Sequence, residues 1–325
     1  MRKKKYKVNS LISYTDLFFV VGGEMKPQNG EDSYVFSIND THALLSVFDG
    51  CGGIGSRKYE MYGGKTGAYL ASHFCSSLLL KWFKEFCDSG RSLTSSALPM
   101  VCEELKGEFT NCLSRLKGDA GAIGIRGSLT RDFPTTTSTV VINKEGGHLM
   151  ANYIWAGDSR GYVLLDDGIV QVTRDDIYGE DDAYSNLSDD GRLENMICAD
   201  GKFVLNYRSV VCRPQTIVVT ATDGCFGYFY TPMEFEYMLL STLVESKNAK
   251  EWQEKLDAYM LKFTGDDYTL GIAVAGFKTF ADLKKRYLPR CKELYKDYIC
   301  GIETAEPEKR KMLWDRYKIG YYRSV

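Results

Sequence analysis

The chain has 325 residues, 44% of them apolar and 26% charged, which is ample for a packed core and excludes disorder as its main state. A formal net charge of -2 excludes a nucleic-acid binder that works through whole-surface electrostatics, and 3 histidines leave little for a histidine-rich metal site or a Ser-His-Asp triad. None of the 10 cysteines pairs in the CxxC spacing of zinc or redox sites, no run approaches the roughly 18 uninterrupted apolar residues of a membrane span, and the start MRKKKYKVNS leads into no signal-type apolar core. The expectation is therefore a cytoplasmic protein with reduced thiols and with neither nucleic acid nor membrane as a partner.

In chain order, SYVFSI (33–38) and HALLSVF (42–48) read as strands. Apolar residues then return every three or four positions over 64–87 and 97–117, the spacing of helices with one buried face. STVVINK and LMANYIWAG form a hairpin through VINKEGGHLM, and GYVLLDDGIVQVT forms a second about its Asp-Gly turn. TIVVTAT is a strand, 232–262 a helical segment, TLGIAVAGF a strand and 279–299 a helix. Strands come in pairs with short turns and helices come in blocks, which predicts an antiparallel α+β domain over alternating βαβ units. Beyond Thr279 the composition turns basic and tyrosine-rich. Residues 1–277 are thus expected to form one domain and 278–325 a helical extension, with KRKMLWDRYKIGYYRSV packing its aromatics onto that domain.

Acidic residues stand at several strand ends. Asp49 follows LLSVF, Asp223 follows TIVVTAT, Asp266 and Asp267 precede YTLGIAV, and Glu31 and Asp32 precede SYVFSI. Strand ends are rigid, and carboxylates aimed from them at a common point would suit hard divalent cations such as Mg2+ and Mn2+. The plainer reading of the Asp-Gly pairs at Asp49, Asp167, Asp190, Asp200 and Asp223 is a set of turns, although only Asp167 sits between two clean strands. Glu31 and Asp32, taken singly, read as solvated surface. A different chemistry is open at CGGIGSR, where Cys51 and Arg57 have the spacing of a thiol phosphatase loop. Against it, Lys58 follows, KYEMYGG begins no clean helix, and Asp49 opposes a thiolate. The acidic stretch RDDIYGEDDAYSNLSDDGR reads as a solvated loop, with selection of basic substrates as the other reading.

Taken together, QNGEDSY, VFDGCGG, TTTSTVVI, AGDSRGYVL, TATDGCF and GDDYTLGIAV resemble, in order, the motifs of the metal-dependent serine/threonine protein phosphatases of type 2C, in a bacterial-like form. The resemblance implies an α+β fold, a four-layer α-β-β-α sandwich of two antiparallel sheets flanked by helices. It implies two divalent ions, Mn2+ or Mg2+, bridged by Asp49, with the Gly50 carbonyl on one and Asp223 and Asp266 on the other. Glu31 and Asp32 would hold metal-bound water, and Asp158 and Arg160 would be mainly structural. A hydroxide bridging the ions would attack phosphoserine or phosphothreonine of a protein substrate, which implies a Ser/Thr kinase as the opposing partner, with metal-bound water as the proton donor to the leaving oxygen.

Departures from the family pattern accompany these matches. The family's phosphate-binding Arg position holds Pro27, or Lys26 if Gly30 counts as an insertion, and a lysine lacks the bidentate fork. Cys51 replaces His or Met, Thr137 replaces a Gly, Asp267 stands where Asn is usual, and Asp132 is the candidate for an additional metal. These changes keep a second reading in view, a catalytically weak or inactive scaffold that binds phosphoproteins, beside the lesser one of a Cys51-dependent phosphatase.

Overall fold

The computed structural model describes residues 17–119, 131–179, 182–188 and 192–325. Its strands are β1 (Phe18–Gly23), β2 (Ser33–Ile38), β3 (His42–Phe48), the short β4 (Lys58–Tyr59) and β5 (Lys65–Thr66), β6 (Thr137–Glu145), β7 (His148–Ala156), β8 (Arg160–Leu165), β9 (Gly168–Gln171), β10 (Asn206–Val211), β11 (Thr216–Ala221) and β12 (Tyr268–Ala275). Its helices are α1 (Gly67–Asp88), α2 (Leu98–Asp119), the one-turn α3 (Ser185–Ser188), α4 (Pro232–Glu245), α5 (Ala249–Phe263), α6 (Phe280–Leu294) and α7 (Pro307–Tyr321).

Two five-stranded sheets form, in the orders β1-β12-β11-β8-β9 and β10-β7-β6-β3-β2, and every pairing is antiparallel. Alternation along each strand sends neighbouring side chains to opposite faces. In β3, Ala43 and Leu45 join Val140, Val163, Val218 and Ala273 between the sheets, while Leu44 and Phe48 turn outward under α1 and α2. In β12, Leu270, Ile272 and Val274 turn outward to meet α4 through α7. Central strands are therefore apolar on both faces, which is why they read as continuous hydrophobic runs. The result is the expected α-β-β-α sandwich.

Two local features differ from the sequence reading. β1 and β10 were not expected; each is an edge strand with one sheet neighbour, and the pattern of β10 is largely polar and exposed. The helical segment 232–262 is two helices. Asn248 caps α5 by accepting the Glu251 N–H at 3.0 Å, and Glu251 returns a bond to Lys247 N–H at 2.9 Å, so the backbone leaves the helix at Ser246. Residues 278–325 share the core of the outer layer: Leu283, Tyr287, Leu294, Trp314, Tyr317 and Tyr321 are buried in one cluster with β11, β12 and α4. Burying side chains of this size contributes roughly 2–3 kcal/mol each. Among the described residues, no helix is long and apolar enough to cross a membrane.

Candidate active site

The ends of β3, β7 and β11 and the starts of β2 and β12 meet at one edge of the sandwich. Glu31, Asp49, Gly50, Asp158, Asp223, Asp266 and Asp267 all line a single open cavity of about 610 Å³ there. Asp32 lies behind it, held by the Thr222 hydroxyl, which donates to Asp32 Oδ2 at 2.8 Å and accepts Thr269 N–H at 2.8 Å. One threonine thus ties the entry of β2 to the β11–β12 ladder and joins the two sheets at the site. Asp267 accepts the backbone N–H groups of Met25 and Glu31, both at 2.7 Å, and so clasps the loop between β1 and β2. Glu31 is further fixed by the Thr66 hydroxyl. Two glycines permit this closeness: a Cβ on Gly50 would stand 2.6 Å from the Ala68 carbonyl oxygen, and one on Gly224 would stand 2.0 Å from that of Asp267.

The electrostatics of the cluster are those of carboxylates crowded into partly desolvated surroundings. Burial, reinforced by Asp223, Asp32 and Asp158, pushes the Asp49 carboxyl well above the usual range. Burial does the same to Asp32 against the opposing bonds from Thr222 and Thr269. Glu31 is raised by burial, with the Thr66 hydroxyl pulling back. Asp158 is pushed up to about 8 by burial and then by Asp223, and its Oδ1 is buried with no hydrogen-bond partner. Each shift reports a place where positive charge would be stabilised. The donor set is entirely oxygen, which fits a hard divalent cation. Among the described residues, no three His, Cys, Asp or Glu side chains converge into a group that could hold a metal ion as they stand. Ions such as Mg2+ keep several waters in their shell, so an open arrangement of carboxylates is compatible with them.

The remaining predicted residues fall in other places. Lys26 lies on an exposed turn, its carbonyl accepting Asn29 N–H at 2.8 Å, and is not part of the cavity lining, although its charge works against the rise of the Glu31 carboxyl. Asp132 pairs with Lys117 at 2.9 Å and also lies outside the lining, so the extra-metal assignment is withdrawn. Asp158, expected to be mainly structural, is a wall residue. Arg160 is structural as expected: buried, 2.7 Å from Asp175 and stacked over Phe226 at 4.1 Å.

Cys51 lines the cavity, but burial and then Asp49 push its thiol well up, away from the thiolate that a nucleophile needs. Arg57 stacks on Tyr59 at 5.0 Å, outside the lining, and β4 follows it instead of a helix. The geometry of a cysteine-dependent phosphate loop is absent, and that reading is corrected.

The acidic stretch is also less solvated than expected. Asp175 binds Arg160, Asp176 accepts from Gly157, Asn195 and Asn206, and Asp182 accepts from Trp314. Glu180, Asp181, Asp189 and Asp190 lie outside the described residues. Sequence reasoning missed the cationic wall, Arg131 and Arg192, which stands in the same cavity as the carboxylates. A lone loop arginine has no period or motif to mark it.

No family model matches the chain, and no curated protein matches it. Solved structures do share its architecture. A bacterial serine phosphatase is 16% identical over 79% of this chain and 97% of its own, with a TM-score of 0.59. The serine/threonine phosphatase Stp1 from Staphylococcus aureus is 14% identical over 85% of this chain and 99% of its own, also at 0.59. The catalytic domain of the serine/threonine protein phosphatase PstP in complex with 2 manganese ions is 16% identical over 79% of this chain and 97% of its own, at 0.51. The chain has the fold of these bacterial phosphatases.

Proposed function

We propose that the protein is a metal-dependent phosphoprotein phosphatase that hydrolyses phosphoserine and phosphothreonine. The observation that carries this reading is the meeting of Asp49, Asp223 and Asp266, from three distant segments, in one cavity with raised carboxyl pKa values around it. A fold shared with phosphatases, one of them solved with two manganese ions, supports it. In this chain Asp49, the Gly50 carbonyl, Asp223 and Asp266 would hold two divalent ions, Mn2+ or Mg2+. When bound, such ions lower the pKa of water and offset charge on a phosphoryl group.

The chain's own residues do the rest. Asp267 and Thr66 hold Glu31 in place at the cavity, and Thr222 fixes Asp32 behind it. Arg131 and Arg192, which line the cavity as Lys26 does not, offer forked cationic donors to phosphoryl oxygens. Catalysis of this kind rests on positioning and charge, so no covalent enzyme intermediate is needed. Cys51 keeps its proton and takes no part as a nucleophile.

The test is hydrolysis of a phosphothreonine peptide with Mn2+, with chelator, and by Asp223→Asn. Loss of at least about a hundredfold is expected in the last two. Equal turnover in either comparison defeats the proposal. The exposed position of Lys26 keeps the scaffold reading alive: phosphopeptide binding with no turnover under any divalent ion would favour it.

A further inference from the structure

The described residues between 174 and 196 make an excursion from the sheet that carries part of the cavity wall. Its two arms are stitched together by a bridge between Ile177 and Leu193, by Tyr178 N–H donating to the Arg192 carbonyl at 2.9 Å, and by Glu194 N–H donating to that of Asp176 at 2.9 Å. The returning arm supplies Arg192, Leu193 and Met196 to the wall.

The C-terminal helix α7 grips the same excursion from its other side. Trp314, fully buried, donates its indole N–H to the Asp182 carboxylate at 2.9 and 3.0 Å, and its ring stacks on Tyr184 at 6.4 Å between centroids. Lys318 Nζ lies 3.6 Å from Asp182 Oδ2. The Tyr322 hydroxyl accepts Ala183 N–H at 2.6 Å, and Arg174 stacks over the Tyr322 ring at 4.1 Å. Asp182 in turn accepts the N–H groups of Tyr184 and Ser185 at 3.0 and 3.2 Å, ahead of α3. From α3, Asn186 donates to Asp175 Oδ2 at 2.9 Å, and Asp175 is the buried partner of Arg160, two residues after Asp158. The hydrogen bonds and the ion pair end on side chains that are at least partly buried, and the two ring contacts run beside them, so the position of the excursion is specified from the helix inward.

We infer that α7 is a positioning element for the substrate-facing wall: Trp314 and Tyr322, acting through Asp182 and Ala183, set where Arg192, Leu193 and Met196 stand relative to the carboxylates. Neither Trp314 nor Tyr322 lines the cavity, so both act through other residues. The wall they hold shares the cavity with the carboxylates, so it would meet the peptide around a phosphorylated residue. The substrate half of this inference rests on the proposed phosphatase activity; the anchoring half does not.

The experiment uses full-length Tyr322→Phe, which removes one hydroxyl and keeps the ring, and Trp314→Phe as the stronger variant. Amide exchange across 182–186 is measured first, then kinetics with Mn2+ on a phosphothreonine peptide and on para-nitrophenyl phosphate, which has no peptide. Faster exchange at Ala183 is expected, with KM for the peptide raised about tenfold while kcat and the small substrate stay within about twofold. A helix that merely supports the fold would lower both activities together. That outcome, unchanged exchange, or an unchanged peptide KM despite faster exchange would each overturn the inference. If the wild-type protein hydrolyses neither substrate, the phosphatase proposal fails by itself, and phosphopeptide affinity replaces KM: about tenfold weaker binding in Tyr322→Phe upholds the inference and unchanged binding overturns it.

Discussion

Neutralising Asp158 should stabilise the metal-free protein, and should do so only at high pH. Its carboxyl keeps its proton to about 8 in the folded chain against an ordinary value of 3.8, because burial and then Asp223 disfavour the charge. Below the ordinary value both folded and unfolded chains hold the proton, and the residue contributes no pH dependence. Between the two values the unfolded chain releases the proton while the folded chain retains it, so wild-type stability falls as pH rises, and it levels off above the higher value. At ~1.4 kcal/mol per pKa unit, the whole shift corresponds to ~5–6 kcal/mol. Asp158 lines an open cavity that water enters, so about half of that, ~3 kcal/mol, is the expected effect. Asp158→Asn keeps the size and removes the ionisation. Urea unfolding in chelator should therefore show the variant ~3 kcal/mol more stable at about pH 8, with the gain shrinking to ~0.5 kcal/mol or less near pH 4. Saturating Mn2+ supplies the missing positive charge and should narrow the gap. A gain of equal size at both pH values, or none at either, refutes the reasoning.

Gly224→Ala forces a methyl against the Asp267 carbonyl oxygen, 2.0 Å from where the Cβ must sit. Thermal unfolding should show a loss of ~1–3 kcal/mol, with hydrolysis falling as Asp223 and Asp266 are pushed apart; wild-type stability in this variant would contradict the packing. Arg160→Ala leaves Asp175 buried beside Gln171 and Asn186 without its guanidinium, and urea unfolding should register a cost of ~3–5 kcal/mol. A cost under about 1 kcal/mol would mean that the pair is solvated. Cys51→Ser should keep metal-dependent turnover within about fivefold of wild type, since a protonated thiol is no nucleophile; complete loss of activity would restore the thiol mechanism.

Much of the architecture could be read along the chain, because alternation in a strand and three-to-four spacing in a helix are local consequences of backbone geometry. The paired strands of β6–β7 and β8–β9 and the outer helices α1, α2 and α6 stand close to where their patterns put them. The carboxylates Asp49, Asp223 and Asp266 were legible for the same reason: each marks the end of a strong strand pattern, and their order matches a known set of motifs. Less legible were β1 and β10, which lean on a single neighbour, and the break before α5, where the Asn248 cap outcompetes a helical pattern that runs through it.

What the linear pattern could not contain is the arrangement of charges in space. Asp158 became a wall residue with a raised carboxyl, Lys26 fell outside the cavity, and Arg131 and Arg192 entered it, because sheet packing sets the distances between segments and charges interact through those distances. The same holds for Trp314, whose indole finds the Asp182 carboxylate 132 residues earlier in the chain. Strand ends and their acids are a property of the sequence; which of them share one cavity, and which cations line it with them, is a property of how two sheets stack.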